Sequence, residues 1–188
     1  MGRDKKFSEQ DLWHHTHQLL LSVGYQGFTM SLLAQSIGVS RAAIYKQYPN
    51  KEELIIQFMV WQMEKSIENL SNVNFSQSFE QQLEDLLVRM FDMRDLHQIL
   101  GFTSQINDVS LVVKQKKEVL NNMHGGLYIP LQQVIKQGKE EGIIAEDRND
   151  FILLSFIFQL IDMPNHLNMP IESFLKEIKL LILHGISK

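Results

Sequence analysis

Thr29-Met30-Ser31-Leu32-Leu33-Ala34-Gln35-Ser36-Ile37-Gly38-Val39-Ser40-Arg41-Ala42-Ala43-Ile44-Tyr45-Lys46-Gln47-Tyr48 decides the fold. Thr29 can cap a short helix whose inner face is Met30, Leu33, Ala34 and Ile37, spaced i, i+3, i+4, i+7. Gly38 follows where a left-handed turn residue is needed. Val39 is a lone apolar residue placed to plug the angle of the turn. Ser40 can cap a third helix, which turns Ile44 and Tyr48 inward. Pro49 ends it, because the residue before a proline is pushed out of the helical region. Two short helices joined by a three-residue turn make a helix-turn-helix, whose second helix lies in the major groove of DNA.

The residue types on that second helix suit such a role. Ser40, Arg41, Ala42 and Ala43 occupy its amino end, the part that comes nearest to base edges. Arg41 can donate two hydrogen bonds to guanine O6 and N7, and the two alanines keep the surface low enough to touch thymine methyls. Tyr45 offers a hydroxyl to phosphate, and Lys46 and Gln47 face away from Ile44. Thr29 and Ser31 at the preceding helix, and Lys51 at the start of the next, complete the candidate DNA contacts.

Outward from this core the pattern stays helical. Ser8 and Asp11 can form a capping box, with Phe7 and Leu12 as its hydrophobic staple. Leu12, His15, Thr16, Leu19, Leu20 and Val23 then trace the inner face of the first helix, which Gly24 should stop. Asn50-Lys51-Glu52-Glu53 resembles a second capping box and opens a fourth helix to about Asn72. Later helices are expected from Ser76 or Ser78 to Ile99, briefly over 103–109, and over 112–141 with a bend at Gly125-Gly126 and Pro130. Two more run from Asp150 to Met163 and from Pro170 to His184. No strand alternation or internal repeat interrupts them.

Composition fits this reading. The chain has 188 residues, 44% hydrophobic and 21% charged, enough apolar side chain for a sizeable core. It has no cysteine, which excludes disulfides, zinc-thiolate sites and thiol catalysis. The net charge of −4 is unevenly spread. Residues 1–51 hold six basic residues (Arg3, Lys5, Lys6, Arg41, Lys46, Lys51) against three acidic ones, and the remainder carries −7. A basic head on an acidic body suggests that the head alone meets a polyanion. The charged opening leads into no apolar signal core, and the longest apolar run, 151–161, is too short to span a bilayer. A cytoplasmic protein with no membrane partner is expected.

The stretch 24–54, with Gly24-Tyr25, Thr29, Leu33-Ala34, Gly38-Val39-Ser40, Tyr45, Tyr48 and Asn50-Lys51-Glu52-Glu53-Leu54, resembles the tetracycline-repressor (TetR) family. The resemblance covers about residues 8–55. It departs from the family at His15-Thr16, where small residues are usual, and at Tyr48, where phenylalanine is usual. It implies an all-α regulator: a three-helix helix-turn-helix DNA-binding domain over 1–50, and a helical effector-binding and dimerisation domain over 51–188. It also implies a homodimer on double-stranded DNA, acting as a ligand-responsive repressor with no cofactor beyond a small effector.

The body carries candidate residues for both tasks. The helix over 151–161 is apolar nearly all round and so must be buried on more than one side. With the last helix it offers a two-fold four-helix interface through Phe151, Leu154, Phe158, Ile161, Phe174, Ile178, Leu181 and Ile182. Met90, Phe91, Phe102, Met123, Tyr128 and Phe156 are candidates to line a cavity for an apolar or amphipathic effector, with Arg94, His124 and Gln159 as polar contacts. A plain core is the competing reading of that stripe. His14 and His17 stand at i, i+3, but no carboxylate follows at the next turn, so no metal site is expected. No catalytic motif appears, which weighs against an all-helical enzyme. A protein-binding adaptor on the same fold is the other alternative.

Overall fold

A computed structural model of the chain describes residues 7–186. The charged opening that includes Arg3, Asp4, Lys5 and Lys6 lies outside the described residues. Ser8 opens the first helix as a full capping box, its Oγ accepting from Asp11 N (3.0 Å) while Asp11 Oδ2 accepts from Ser8 N (3.1 Å). The Ser8 hydroxyl, donating to Asp11 Oδ2 at 2.7 Å, and then the Ser8 backbone N–H hold the Asp11 carboxyl below its ordinary range. The helices that follow are α1 (Glu9–Gly27), α2 (Met30–Ile37), α3 (Arg41–Tyr45), α4 (Lys51–Ser71), α5 (Phe79–Asp92), α6 (Arg94–Leu100), α7 (Leu111–Glu140), α8 (Asp150–Gln159) and α9 (Ile171–Ile186). Short 3-10 turns cover Gly101–Gln105 and Leu160–Asp162. Among the described residues there is no strand, and the fold is all-α.

Contacts divide the chain into two compact units, 1–64 with 95–122, and 65–94 with 123–188. This division differs from the expected boundary at 50/51, because α4 and α7 each continue from one unit into the other.

In the first unit the core forms where α1 meets α2 and α4. Leu12, Trp13, Thr16 and Leu20 are the buried face of α1, joined by Phe28, Leu33, Ile44, Leu54 and Phe58. The expected stripe is therefore rotated. Trp13 enters the core, while Val23 is exposed and His15 half-buried. The bulk of an indole explains the rotation, since burying Trp13 removes more apolar surface from water than burying Val23. Gly24 leaves helical geometry at φ 67°, ψ −179°, yet one more turn follows before the chain extends at Phe28.

In the second unit, Phe79, Leu83, Leu86, Leu87 and Met90 of α5 are buried, α5 packs against α9, and the Phe79 ring comes up against α7 at Gly138. Gly138 permits this approach: a Cβ there would lie 2.8 Å from both Ile144 Cδ1 and the Phe79 ring. The helix expected over 78–99 is two. Met93 breaks it at φ −97°, ψ 5° with its side chain buried, and no glycine or proline marks the place. Helix α7 runs as one element through Gly125, Gly126 and Pro130.

Candidate nucleic-acid interface

Local caps build the helix-turn-helix. Thr29 Oγ1 accepts from Leu32 N at 3.2 Å and starts α2. Gly38 ends it at φ 77°, ψ 37°, a left-handed conformation that costs a residue with a Cβ more than it costs glycine. Ala34 O accepts from both Gly38 N and Val39 N at 3.0 Å, so the turn consumes its own backbone donors. Ser40 Oγ then accepts from Ala43 N at 3.2 Å and starts α3. Ile44 anchors α3 from beneath, at 0% exposure.

That anchor fixes what faces outward. Arg41, Ala42, Tyr45, Lys46 and Gln47 are exposed, Ala43 is half-buried, and Thr29, Ser31 and Ser40 are exposed beside them. All of these candidate contacts except Ala43 are thus exposed. The Arg41 guanidinium carbon lies 5.8 Å from the Tyr45 ring centroid, one helical turn on, within cation–π range. This contact limits where Arg41 can swing. Helix α3 is shorter than expected and closes at Tyr45. Ile44 O accepts from Gln47 N (2.9 Å) and Tyr48 N (3.0 Å), so Lys46 and Gln47 sit in a tightened turn ahead of Pro49. Tyr48 is half-buried, 5.8 Å from the Trp13 ring. Burial first, and the Glu9 charge second, push its hydroxyl up from the ordinary range.

Lys51 is held differently from the rest. Its Nζ donates to Tyr25 O at 3.2 Å and lies 4.3 Å from the Tyr25 ring centroid. The Tyr25 hydroxyl in turn donates to Glu52 Oε1 at 3.2 Å. Lys51 therefore ties the end of α1 to the start of α4 before any phosphate arrives. The second capping box forms with one change. Asn50 Oδ1 accepts from Glu53 N at 2.8 Å, but Glu53 Oε1 accepts from the Asn50 amide (3.3 Å) and from Ser110 Oγ (2.8 Å). Ser110 also faces Val113 N at 3.3 Å, so one carboxylate serves the starts of both α4 and α7. Sequence spacing gave no sign of this link, since Glu53 and Ser110 are 57 positions apart.

The candidate effector residues fall in both units. Phe102 lies in the first unit, its ring edge against Gly24, whereas the others belong to the second. Phe156, Gln159 and His124 are exposed, and Met90 and Phe91 are core. Met123 and Tyr128 are half-buried, with Tyr128 5.2 Å from Phe158. Arg94 is half-buried over the Phe91 ring (5.4 Å) and reaches Met163 O at 3.4 Å. The plain-core reading accounts for Met90 and Phe91; the wheel positions of Phe156 and Gln159 point them outward.

The candidate interface residues also divide. Leu154, Phe158, Ile161, Phe174, Ile178 and Ile182 are buried within their own unit, whereas Phe151 and Leu181 stand 73% and 64% exposed. Ile152, Phe156, Ile171 and Leu180 are exposed beside them in sequence.

Fold and surface together define the class: an all-helical protein with a helix-turn-helix presented on a capped, internally anchored scaffold. Residues 14–58 match the family described as bacterial regulatory proteins, tetR family, and that match contains the helix-turn-helix. That match reads the chain as a DNA-binding transcriptional regulator rather than an enzyme. No curated protein matches the chain. Solved structures share its fold. A bacterial regulatory protein of the tetR family from Rhodococcus RHA1 aligns with TM-score 0.78 at 14% identity, over 96% of this chain and 98% of that one. The transcriptional regulator FadR from Bacillus subtilis, in complex with stearoyl-CoA, aligns at 0.69 and 20% identity, over 95% and 100%. The ketosteroid transcriptional regulator KstR2 of Mycobacterium tuberculosis aligns at 0.66 and 15%, over 97% of each chain. Among the described residues no helix is long and apolar enough to cross a membrane.

Proposed function

We propose that the chain is a cytoplasmic, ligand-responsive repressor that binds a pseudo-palindromic operator as a homodimer. The observation that carries this reading is the outward ridge of α3. Ile44 is wholly buried, while Arg41, Ala42, Tyr45, Lys46 and Gln47 stand free above it. Arg41 reads guanine, Ala42 and Ala43 admit thymine methyls, and Thr29, Ser31, Ser40, Tyr45, Lys46 and Gln47 hold backbone or neighbouring bases. Lys51 contributes its charge from beside Tyr25. A two-fold partner supplies the second α3, with half-sites about one helical turn (~34 Å) apart.

Dimerisation uses the apolar side chains that α8 and α9 leave exposed. Phe151, Ile152, Phe156 and Leu181 need a cover, and a second copy of the same surface supplies one. Leu154, Phe158, Ile161, Phe174, Ile178 and Ile182 support that surface from within.

The effector is a small apolar or amphipathic molecule taken up by the second unit. Met90, Phe91, Met123 and Tyr128 supply apolar contact, and the half-buried Arg94 guanidinium supplies a cationic one. A protein of the same fold holds stearoyl-CoA, an amphipathic acyl thioester, which agrees with that ligand class. The effector favours a conformation whose two recognition helices no longer match the operator spacing, and linkage makes the two affinities reciprocal. Selection of bound duplexes from a random pool tests the reading. It should return an inverted repeat, and amphipathic metabolites should then release the duplex. Recovery of sequences with no shared pattern overturns it.

A further inference from the structure

A groove of about 510 Å³ opens on the first unit, lined by α1, α4 and the start of α6. That volume lies within the usual range for small-molecule sites, about 300–1,000 Å³. Neither the DNA-reading face nor the dimer surface uses it. Its lining includes Trp13, His17, Trp61 and Asp95.

Two features define what fits. The first is an aromatic wall. The half-buried Trp61 ring lies 6.1 Å from Trp13 and stacks on Phe58 at 6.4 Å, so its orientation is fixed by packing. Indole faces are electron-rich and attract cations. The second is charge. The Asp95 side chain is 61% exposed and meets His17 Nε2 at 3.4 Å, and the lining holds no lysine or arginine.

We infer that this groove binds a small organic cation, an ammonium compound carrying an aryl group, with Asp95 as its counter-ion and Trp61 as its platform. Histidine at position 17 leaves room for such a cation because it shares Asp95 across a long contact, whereas a lysine there would occupy the carboxylate permanently. The Asp95 carboxylate and the indole face both disfavour an anion.

Both tryptophans of the chain, Trp13 and Trp61, line the groove, so intrinsic fluorescence of the full chain reads it directly. The probe is benzoylcholine, and the control is 3,3-dimethylbutyl benzoate, which replaces the ammonium nitrogen by carbon. Benzoylcholine should give a saturable change, with the neutral analogue at least fivefold weaker. Asp95→Asn should weaken benzoylcholine at least fivefold at an unchanged melting temperature. Trp61→Phe should keep binding within about threefold, and Trp61→Ala should lose it, read through Trp13. A linear, unsaturable change, or equal affinity of the two probes, or wild-type affinity in Asp95→Asn overturns the inference. The readout uses the free protein without DNA, so its failure leaves the operator reading standing, and the reverse holds as well.

Discussion

Replacing Phe151 and Leu181 together by alanine should separate the two chains. Both side chains are mostly exposed in the single chain, at 73% and 64%. Fully burying a Phe or Leu side chain is worth about 1.5–3 kcal/mol. About seven-tenths of that is gained at each position only when a partner covers it, or roughly 1–2 kcal/mol. Two-fold symmetry places each residue in the interface twice, so one substitution costs about 2–4 kcal/mol of dimer. That raises the dissociation constant roughly 30- to 700-fold per substitution. Sedimentation equilibrium over a concentration series reads it: wild type as a dimer at micromolar concentration, the double variant as a monomer. Val88 on α5, exposed but outside α8 and α9, gives the control, and Val88→Ala should leave association unchanged. The variant should stay folded, since its substitutions leave Leu154, Ile157, Ile178 and Ile182 in the core. A wild-type monomer at micromolar concentration, or equal association of both proteins, refutes the reasoning.

Lys46→Ala should weaken binding to all duplexes alike and lower the slope of log affinity against log salt by about one, read by fluorescence anisotropy at several salt concentrations. Gly138→Ala should cost about 1–3 kcal/mol in urea unfolding, because its Cβ would press on Ile144 and the Phe79 ring. Ser40→Ala should cost about 1 kcal/mol by the same assay, through loss of the α3 cap. Alkaline stability should report Tyr25. Burial, then the Glu52 charge and hydrogen bond, push its hydroxyl up from 10.0 to about 12. The folded chain therefore keeps a proton that the unfolded chain gives up. This stabilisation is whole below pH 10 and is lost as pH climbs to about 12. Melting curves of Tyr25→Phe should fall less steeply over that window than those of wild type.

How much could be read without coordinates depended on how local each signal is. Thr29, Gly38 and Ser40 act within three or four residues of themselves, so their caps and turn follow from the sequence alone. The same holds for Ser8 with Asp11 and for Asn50 with Glu53. The rotation of α1 onto Trp13 was not legible, because periodicity admits either face and only the volume of the site chooses the indole. Helix α8 shows a different limit. A helix apolar all round must be buried twice, but which side faces its own chain depends on neighbours distant in sequence, such as Tyr128 beside Phe158, and that side proved to be Leu154 and Phe158. The effector set divides for a similar reason. Phe102 and Phe156 belong to one compositional stripe, yet one packs beside Gly24 and the other faces out. Met93 breaks a helix without any local breaker, so tertiary packing sets that boundary. The Glu53–Ser110 and His17–Asp95 links join distant segments and left no trace in spacing.

The face of α3 carries the whole functional account, and Arg41 is its most exposed commitment. The decisive measurement compares wild type with Arg41→Ala on the selected duplex and on a copy in which one guanine pair per half-site is replaced. Wild type should prefer the original by about 1–3 kcal/mol per half-site, and Arg41→Ala should bind both duplexes equally while keeping the same salt slope within one unit. A variant that still discriminates as wild type does, or a wild-type chain that never did, contradicts the assignment of this ridge to base reading.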